Sequence, residues 1–272
     1  MNPKVILITG ASAGIGKTTA EILMKKGMKV YSASRRGGIP DKDSSSNGEI
    51  IPVIMDVNNV LEIEKVIEKI ITDNGRLDVL VSNAGNGIAG SVEDTSVEET
   101  RYQFETNFFG AVKTIQACIP LFRAQGYGKI ITISSVAGVI PIPFQAFYSA
   151  SKAALLTFMK ALYMEIKPFN IDCCTVLPGD TKTDFTAARK YTLQSQSEKS
   201  TYYKKMNASV GKMEKDEQNG MSPEVIAKNI LQQIERKKMN PVVIPGIQYK
   251  LFCWLFNRLP VKISLWVIGL LY

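Results

Sequence analysis

Residues 4–16 read KVILITGASAGIG. Their first six, KVILIT, form a short apolar run that ends against a glycine, the pattern of a buried β-strand. TGASAGIG (9–16) follows, with Ser12 and Ile15 inside the loop. Gly10, Gly14 and Gly16 allow a tight turn, close approach of backbone to a pyrophosphate, and close packing of a helix on the strand. The spacing is G-x-x-x-G-x-G rather than the G-x-G-x-x-G of many dinucleotide folds. Residues 15–27 predict a helix that stops at Gly27.

The pattern repeats outward. KVYSAS (29–34), IIPVIM (50–55), LDVLVS (77–82), KIITIS (129–134) and IDCCTVL (171–177) read as further strands. PVVIPG (241–246) reads as a last one. Helices are predicted over 60–71, over 97–124 with a break near Gly110, over 146–167, and over 222–238 with Ser222 as cap and Pro223 in the first turn. Residues 37–48, rich in Gly, Ser, Pro and Asp, read as a loop. Alternating strand and helix predict an α/β fold, a doubly wound parallel sheet with helices on both faces. Right-handed crossovers put every strand's C-terminal end on one edge, where ligands bind. The segments 10–16, 34–36, 56, 83–85, 134–135 and 178–183 all fall there. Residues 1–246 are expected to form one dinucleotide-binding and catalytic domain, with 247–272 an apolar C-terminal extension.

The 272-residue chain contains no histidine. That excludes Ser-His-Asp and Cys-His catalysis and imidazole-based zinc sites. Cys118, Cys173, Cys174 and Cys253 make no C-x-x-C pair, so neither a disulfide framework nor a metal site is expected. Any acid–base chemistry must come from Tyr, Lys, Ser, Asp or Glu. The N-terminus is a poor signal peptide and no apolar run approaches the roughly 20 residues of a membrane span, so a cytoplasmic protein is the expectation. Of the net charge of +8, residues 184–272 carry +7. Solvated helix faces account for such an excess, as does attraction to an acidic ligand or anionic surface. A nucleic-acid partner is not expected.

With these motifs in place, the chain resembles the short-chain dehydrogenase/reductase family from about residue 4 to 185, and more loosely to about 246. The resemblance implies an oxidoreductase that uses a nicotinamide cofactor. NAD-preferring relatives carry an acid at the end of the second strand; here Ser34 is followed by Arg35 and Arg36. An arginine there can hold a 2′-phosphate bidentately, which favours NADP(H), although the basic residue common in the glycine loop is Ala13 here. By the same resemblance Asp56 and Val57 contact the adenine, and Asn83, Ala84 and Gly85 wall the ribose, with Ser82 replacing the family's first asparagine. Pro178, Gly179, Thr181 and Thr183 orient the nicotinamide. Asn107, Ser135, Tyr148 and Lys152 complete the catalytic set, Ser135 lying thirteen residues before Tyr148. Tyr148 and Lys152 also touch cofactor. Asn107 is expected in a kinked helix holding a water on the lysine, and Ser134 to serve packing or backbone support.

FYSASKAAL (147–155) carries the chemistry. A phenol with a pKa near ~10 is a sluggish acid at neutral pH. Four residues on, a helix returns to the same face, so Lys152 is expected to bring Tyr148 towards neutrality. A water-screened surface pair would do far less. Ser135 and Tyr148 would then bind a carbonyl oxygen, Tyr148 donating the proton as hydride arrives.

Residues 184–220 are expected to close over substrate as a lid. The apolar SSVAGVIPIPFQAF (134–147) suits steroid-, retinoid- or acyl-like ketones and alcohols. SVAGVIPIPFQAFYSASKAAL and KTDF are similar to the hydroxysteroid and retinol dehydrogenase branch. A homodimer or homotetramer is the expected assembly. A 3-oxoacyl reductase of lipid synthesis and a non-catalytic NADP(H)-sensing protein are the alternatives. Three readings compete for the tail at 247–272: it docks on the core or a second subunit, it lies on a membrane surface, or it roofs the substrate pocket.

Overall fold

The computed structural model describes residues 3–38, 41–43, 45 and 47–272. Its sheet is built from β1 (Val5–Thr9), β2 (Lys29–Ser34), β3 (Asp41–Asp43), β4 (Gly48–Ile54), β5 (Val79–Ser82), β7 (Gly128–Ile133), β8 (Ile171–Val176) and β10 (Val242–Val243). Two short strands, β6 (Ile88–Ala89) and β9 (Lys190–Tyr191), pair apart from it. The helices are α1 (Gly14–Lys25), α2 (Val60–Asn74), α3 (Val97–Phe104), α4 (Ala111–Gln125), α5 (Ala146–Ile166), α6 (Tyr203–Gln218), α7 (Pro223–Glu235), α8 (Ile247–Arg258) and α9 (Val261–Leu271).

The strand order is β10-β8-β7-β5-β1-β2-β4-β3. All neighbours are parallel except β3 on β4. The chain reverses its direction of travel across the sheet between β1 and β5, and such a switch point opens a crevice at the strands' C-terminal ends. Alternate residues of β1 feed opposite faces, as the pleat requires. Val5 and Leu7 pack under α2, α4 and α5, and Ile6 and Ile8 under α1 and α7. The doubly wound reading of the sequence is therefore the observed architecture.

Two local readings are corrected. The turn residues at 37–48 predicted only loop, yet Asp41–Asp43 pairs antiparallel with β4. The open edge of β4 bonds any backbone that reaches it, and a charged edge strand blocks further pairing; Lys42 also meets Glu49 at 3.1 Å. Positions 39, 40, 44 and 46 of that predicted loop, and residues 1–2 of the N-terminal stretch, lie outside the described residues. The break near Gly110 is a π-helical turn over Glu105–Gly110, not an interruption. Ser222 caps α7 as expected, its Oγ accepting from the Glu224 amide.

Candidate active site

A cleft of about 500 Å³ lies at the switch point. Of the residues read from the sequence, Gly10, Ser12, Gly14, Ile15, Ser34, Arg35, Arg36, Asp56, Val57, Asn83, Ala84, Gly85, Ser135, Tyr148, Lys152, Pro178, Gly179, Thr181 and Thr183 line it. Gly16 and Asn107 sit just behind this wall.

The glycine turn is shaped by what presses on it. Gly10 (φ 64°) and Gly14 (φ 52°) occupy the left-handed region, which favours glycine. A Cβ on Gly10 would fall 2.7 Å from Ala84 Cα, and one on Gly16 2.5 Å from Asn83 Nδ2 and the Gly10 oxygen. Asn83 ties the loops together: Nδ2 donates to the Thr9 and Gly10 carbonyls at 3.0 Å each. Thr9 Oγ1 accepts from the Asn83 and Ala84 amides. The resulting cradle offers bare backbone at the start of α1, with no acid in that helix's first turn. It fits a pyrophosphate. At the end of β2, Ser34 Oγ donates to the Gly37 carbonyl. Arg35 and Arg36 are exposed, and neither makes an ion pair among the described residues.

Asn107 is buried in the π-helical turn. Its Oδ1 accepts from the Asn86 amide at 2.8 Å, while Nδ2 donates to the Asn86 carbonyl and Ser151 Oγ. A Cβ on Gly85 would lie 3.3 Å from Asn107 Oδ1 and 3.4 Å from Lys152 Nζ, so both groups converge behind that glycine. Sequence reasoning missed Gln103, which is fully buried and grips Asn86 through its carbonyl and side chain. The signal was available: Gln103 is four residues before Asn107, on the same helical face.

At the end of β7, Ser134 Oγ donates to the Lys152 carbonyl, the supporting role expected of it. Ser135 Oγ accepts from the Ala137 amide at 3.1 Å. Tyr148 opens on the cleft from the first turns of α5. Lys152 is buried, its Nζ donating to the Ile133 carbonyl at 3.0 Å and standing 5.8 Å from the centre of the Tyr148 ring.

One electrostatic expectation is overturned. Lys152 does not draw Tyr148 towards neutrality in the protein itself. Burial pushes the phenol up to about 12, with the Ser135 hydroxyl drawing it back in part. Burial also depresses Lys152 to about 8. Desolvation leads both shifts, and the ammonium is turned to a backbone carbonyl.

The segment after Thr183 covers the cleft. Phe185 packs against the Tyr148 ring at 5.7 Å between centres, and Arg189 lies over Phe185. The Arg189 side chain is fully buried and pairs with Glu214 and Glu217. Thr186 adds a hydrogen bond to Glu217, and Tyr191 one to Glu214. The β6–β9 pair fastens this segment to the loop beyond β5. Lining residues unread in the sequence include Asp180, Phe185, Met213 and Glu217. From the tail, Tyr249 donates to Asp180 Oδ2 at 3.1 Å, and its ring occupies the space a Cβ on Gly179 would need.

The family model described as short chain dehydrogenase matches residues 4–194. A 3-ketodihydrosphingosine reductase of Bacteroides thetaiotaomicron is 42% identical over 89% of this chain and 90% of its own length. A short chain dehydrogenase/reductase of Burkholderia phymatum in complex with NAD superimposes with a TM-score of 0.80 at 21% identity, over 94% of this chain and 93% of its own. A short chain dehydrogenase of Burkholderia cenocepacia in complex with NADP gives 0.70 at 21%, over 94% of each. The two structures share the fold and differ in cofactor. The match across most of the sequence, on this sheet, shows that the chain belongs to the short-chain dehydrogenase/reductase family of oxidoreductases.

Proposed function

We propose that the protein is an NADPH-dependent reductase of a long-chain ketone of the sphingoid type. The observation that carries this reading is the lining around Tyr148. It combines apolar side chains (Ile142, Phe185, Met213) with the carboxylates Asp180 and Glu217. A 3-ketosphingoid base has matching parts: an alkyl chain, a ketone, and an amino alcohol whose ammonium suits a carboxylate. Asp180 is not in an ion pair among the described residues; burial raises its carboxyl, and a bound ammonium would favour its charged form. The 42% identical reductase supports the substrate class. Arg35 and Arg36, exposed beside Ser34 and without an ion pair among the described residues, support the phosphorylated cofactor.

In this reading the glycine cradle, Asp56, Val57 and the 178–183 loop hold the dinucleotide. When bound, the reduced nicotinamide supplies the hydride. Ser135 donates a hydrogen bond to the carbonyl oxygen, and Tyr148 delivers the proton as charge builds there. Lys152, with Asn107 behind Gly85, restores the phenol's proton. Loss of the Lys152 proton near pH 8 would then limit the rate on the alkaline side.

The test is consumption of NADPH and of NADH with 3-ketodihydrosphingosine and with a 3-oxoacyl thioester, using Tyr148→Phe as control. Turnover of the sphingoid ketone with NADPH is expected. Turnover of the thioester alone would overturn the substrate class, preference for NADH would overturn the cofactor, and binding without turnover would make the chain a sensor.

A further inference from the structure

The tail forms two consecutive helices, each with an inward and an outward side. Inward, Cys253 and Ile268 are buried with Ile140 against Val136 and Val139, beside the catalytic Ser135. Outward, Leu251 and Trp254 on α8, and Ile263, Trp266 and Leu270 on α9, are exposed, each set spaced three or four residues apart. Trp254 and Trp266 are the chain's only tryptophans, 56% and 65% exposed. Large apolar side chains left exposed together on one terminal segment mark an interaction site.

Charge decides what covers it. Residues 247–272 contain Lys250, Arg258 and Lys262 and no aspartate or glutamate. The Arg258 guanidinium lies over the Trp254 ring at 5.6 Å, so cation and aromatic stand together. A second copy related by a twofold axis would bring Lys250, Arg258 and Lys262 near their own counterparts, with no acid within the segment to offset them. An anionic lipid headgroup layer complements the same surface: basic side chains meet phosphates, and tryptophan and leucine enter the acyl boundary. Among the described residues no helix is long and apolar enough to cross a membrane. The two helices, 12 and 11 residues, are each about 17 Å long. They are suited to lie in the interface.

We propose that α8 and α9 seat the enzyme on an anionic bilayer surface, with the tryptophan-bearing sides inserted. Val136 lines the cleft and packs against the inward side of these helices, so the element that would be seated adjoins the active site. The proposal stands on these two helices alone and does not depend on the substrate.

The full-length chain should float with vesicles of phosphatidylcholine plus phosphatidylglycerol, and weakly or not at all with phosphatidylcholine alone. Its tryptophan emission should shift to shorter wavelength on binding, a readout that needs no variant. Trp254→Glu with Trp266→Glu should weaken binding by about tenfold or more, and Lys250→Glu with Lys262→Glu about fivefold, with unchanged thermal midpoints. Unshifted emission and no flotation with the anionic vesicles would overturn the proposal. So would a stable dimer in sedimentation that the tryptophan variant splits into monomers, since a second copy would then own the face.

Discussion

Lys152 is a buried ammonium without a carboxylate, so removing its charge should stabilise the fold while destroying catalysis. It is 4% exposed, its Nζ bonds the Ile133 carbonyl, and it makes no ion pair among the described residues. Depression from its ordinary 10.5 to about 8 corresponds to a cost of about 3 kcal/mol below pH 8. Lys152→Met keeps the length of the side chain and leaves the Ile133 carbonyl short of one donor, a loss of about 1 kcal/mol. The net gain is about 2 kcal/mol, or about 5 °C in Tm. The sign with pH follows from the direction of the shift. Between about 8 and 10.5 the folded wild-type lysine loses its proton while the unfolded one keeps it, so wild-type stability rises across that window. The variant's advantage should therefore vanish by the top of the window. Tyr148, pushed up to about 12, is common to both proteins and cancels. Denaturant unfolding at pH 7 and above pH 10 measures both values, and turnover should fall about a hundredfold or more. A variant less stable than wild type at pH 7, with a gap that ignores pH, would refute the reasoning.

Three further outcomes are expected. Arg35→Asp should raise the KM for NADPH by about tenfold or more and lower that for NADH, because a bidentate phosphate contact becomes a repulsion; steady-state kinetics with both cofactors checks it. Tyr148→Phe should cut kcat by about a thousandfold with little change in cofactor affinity, measured by turnover and by titration. Gly48→Ala should destabilise by about 2 kcal/mol or more in urea unfolding. Its Cβ would fall 1.8 Å from the Met24 carbonyl oxygen, which is backbone and cannot swing aside.

The elements that frame the site were legible because buried parallel strands are continuous apolar runs ended by glycine or polar loops. The paired segments β3, β6 and β9 were not, since two- or three-residue pairing depends on which backbone lies alongside. Phe185, Arg189 and Glu217 were hidden for a similar reason. Nothing local tells which members of a polar stretch turn inward, and Arg189 is buried only because two turns of α6 present Glu214 and Glu217 to it.

The tail divides the same way. Its composition alone already implied apolar faces and an unbalanced positive charge, but only packing shows that Cys253 and Ile268 turn inward and both tryptophans outward. Sequence by itself determined the alternation, the glycine cradle and the four-residue spacing that puts Tyr148 and Lys152 on one helical face, because these depend on near neighbours and on backbone geometry. Tertiary structure alone decided the electrostatics of that pair. The Ile133 carbonyl that holds the ammonium comes from another strand, and the burial that moves both groups is the work of the whole fold.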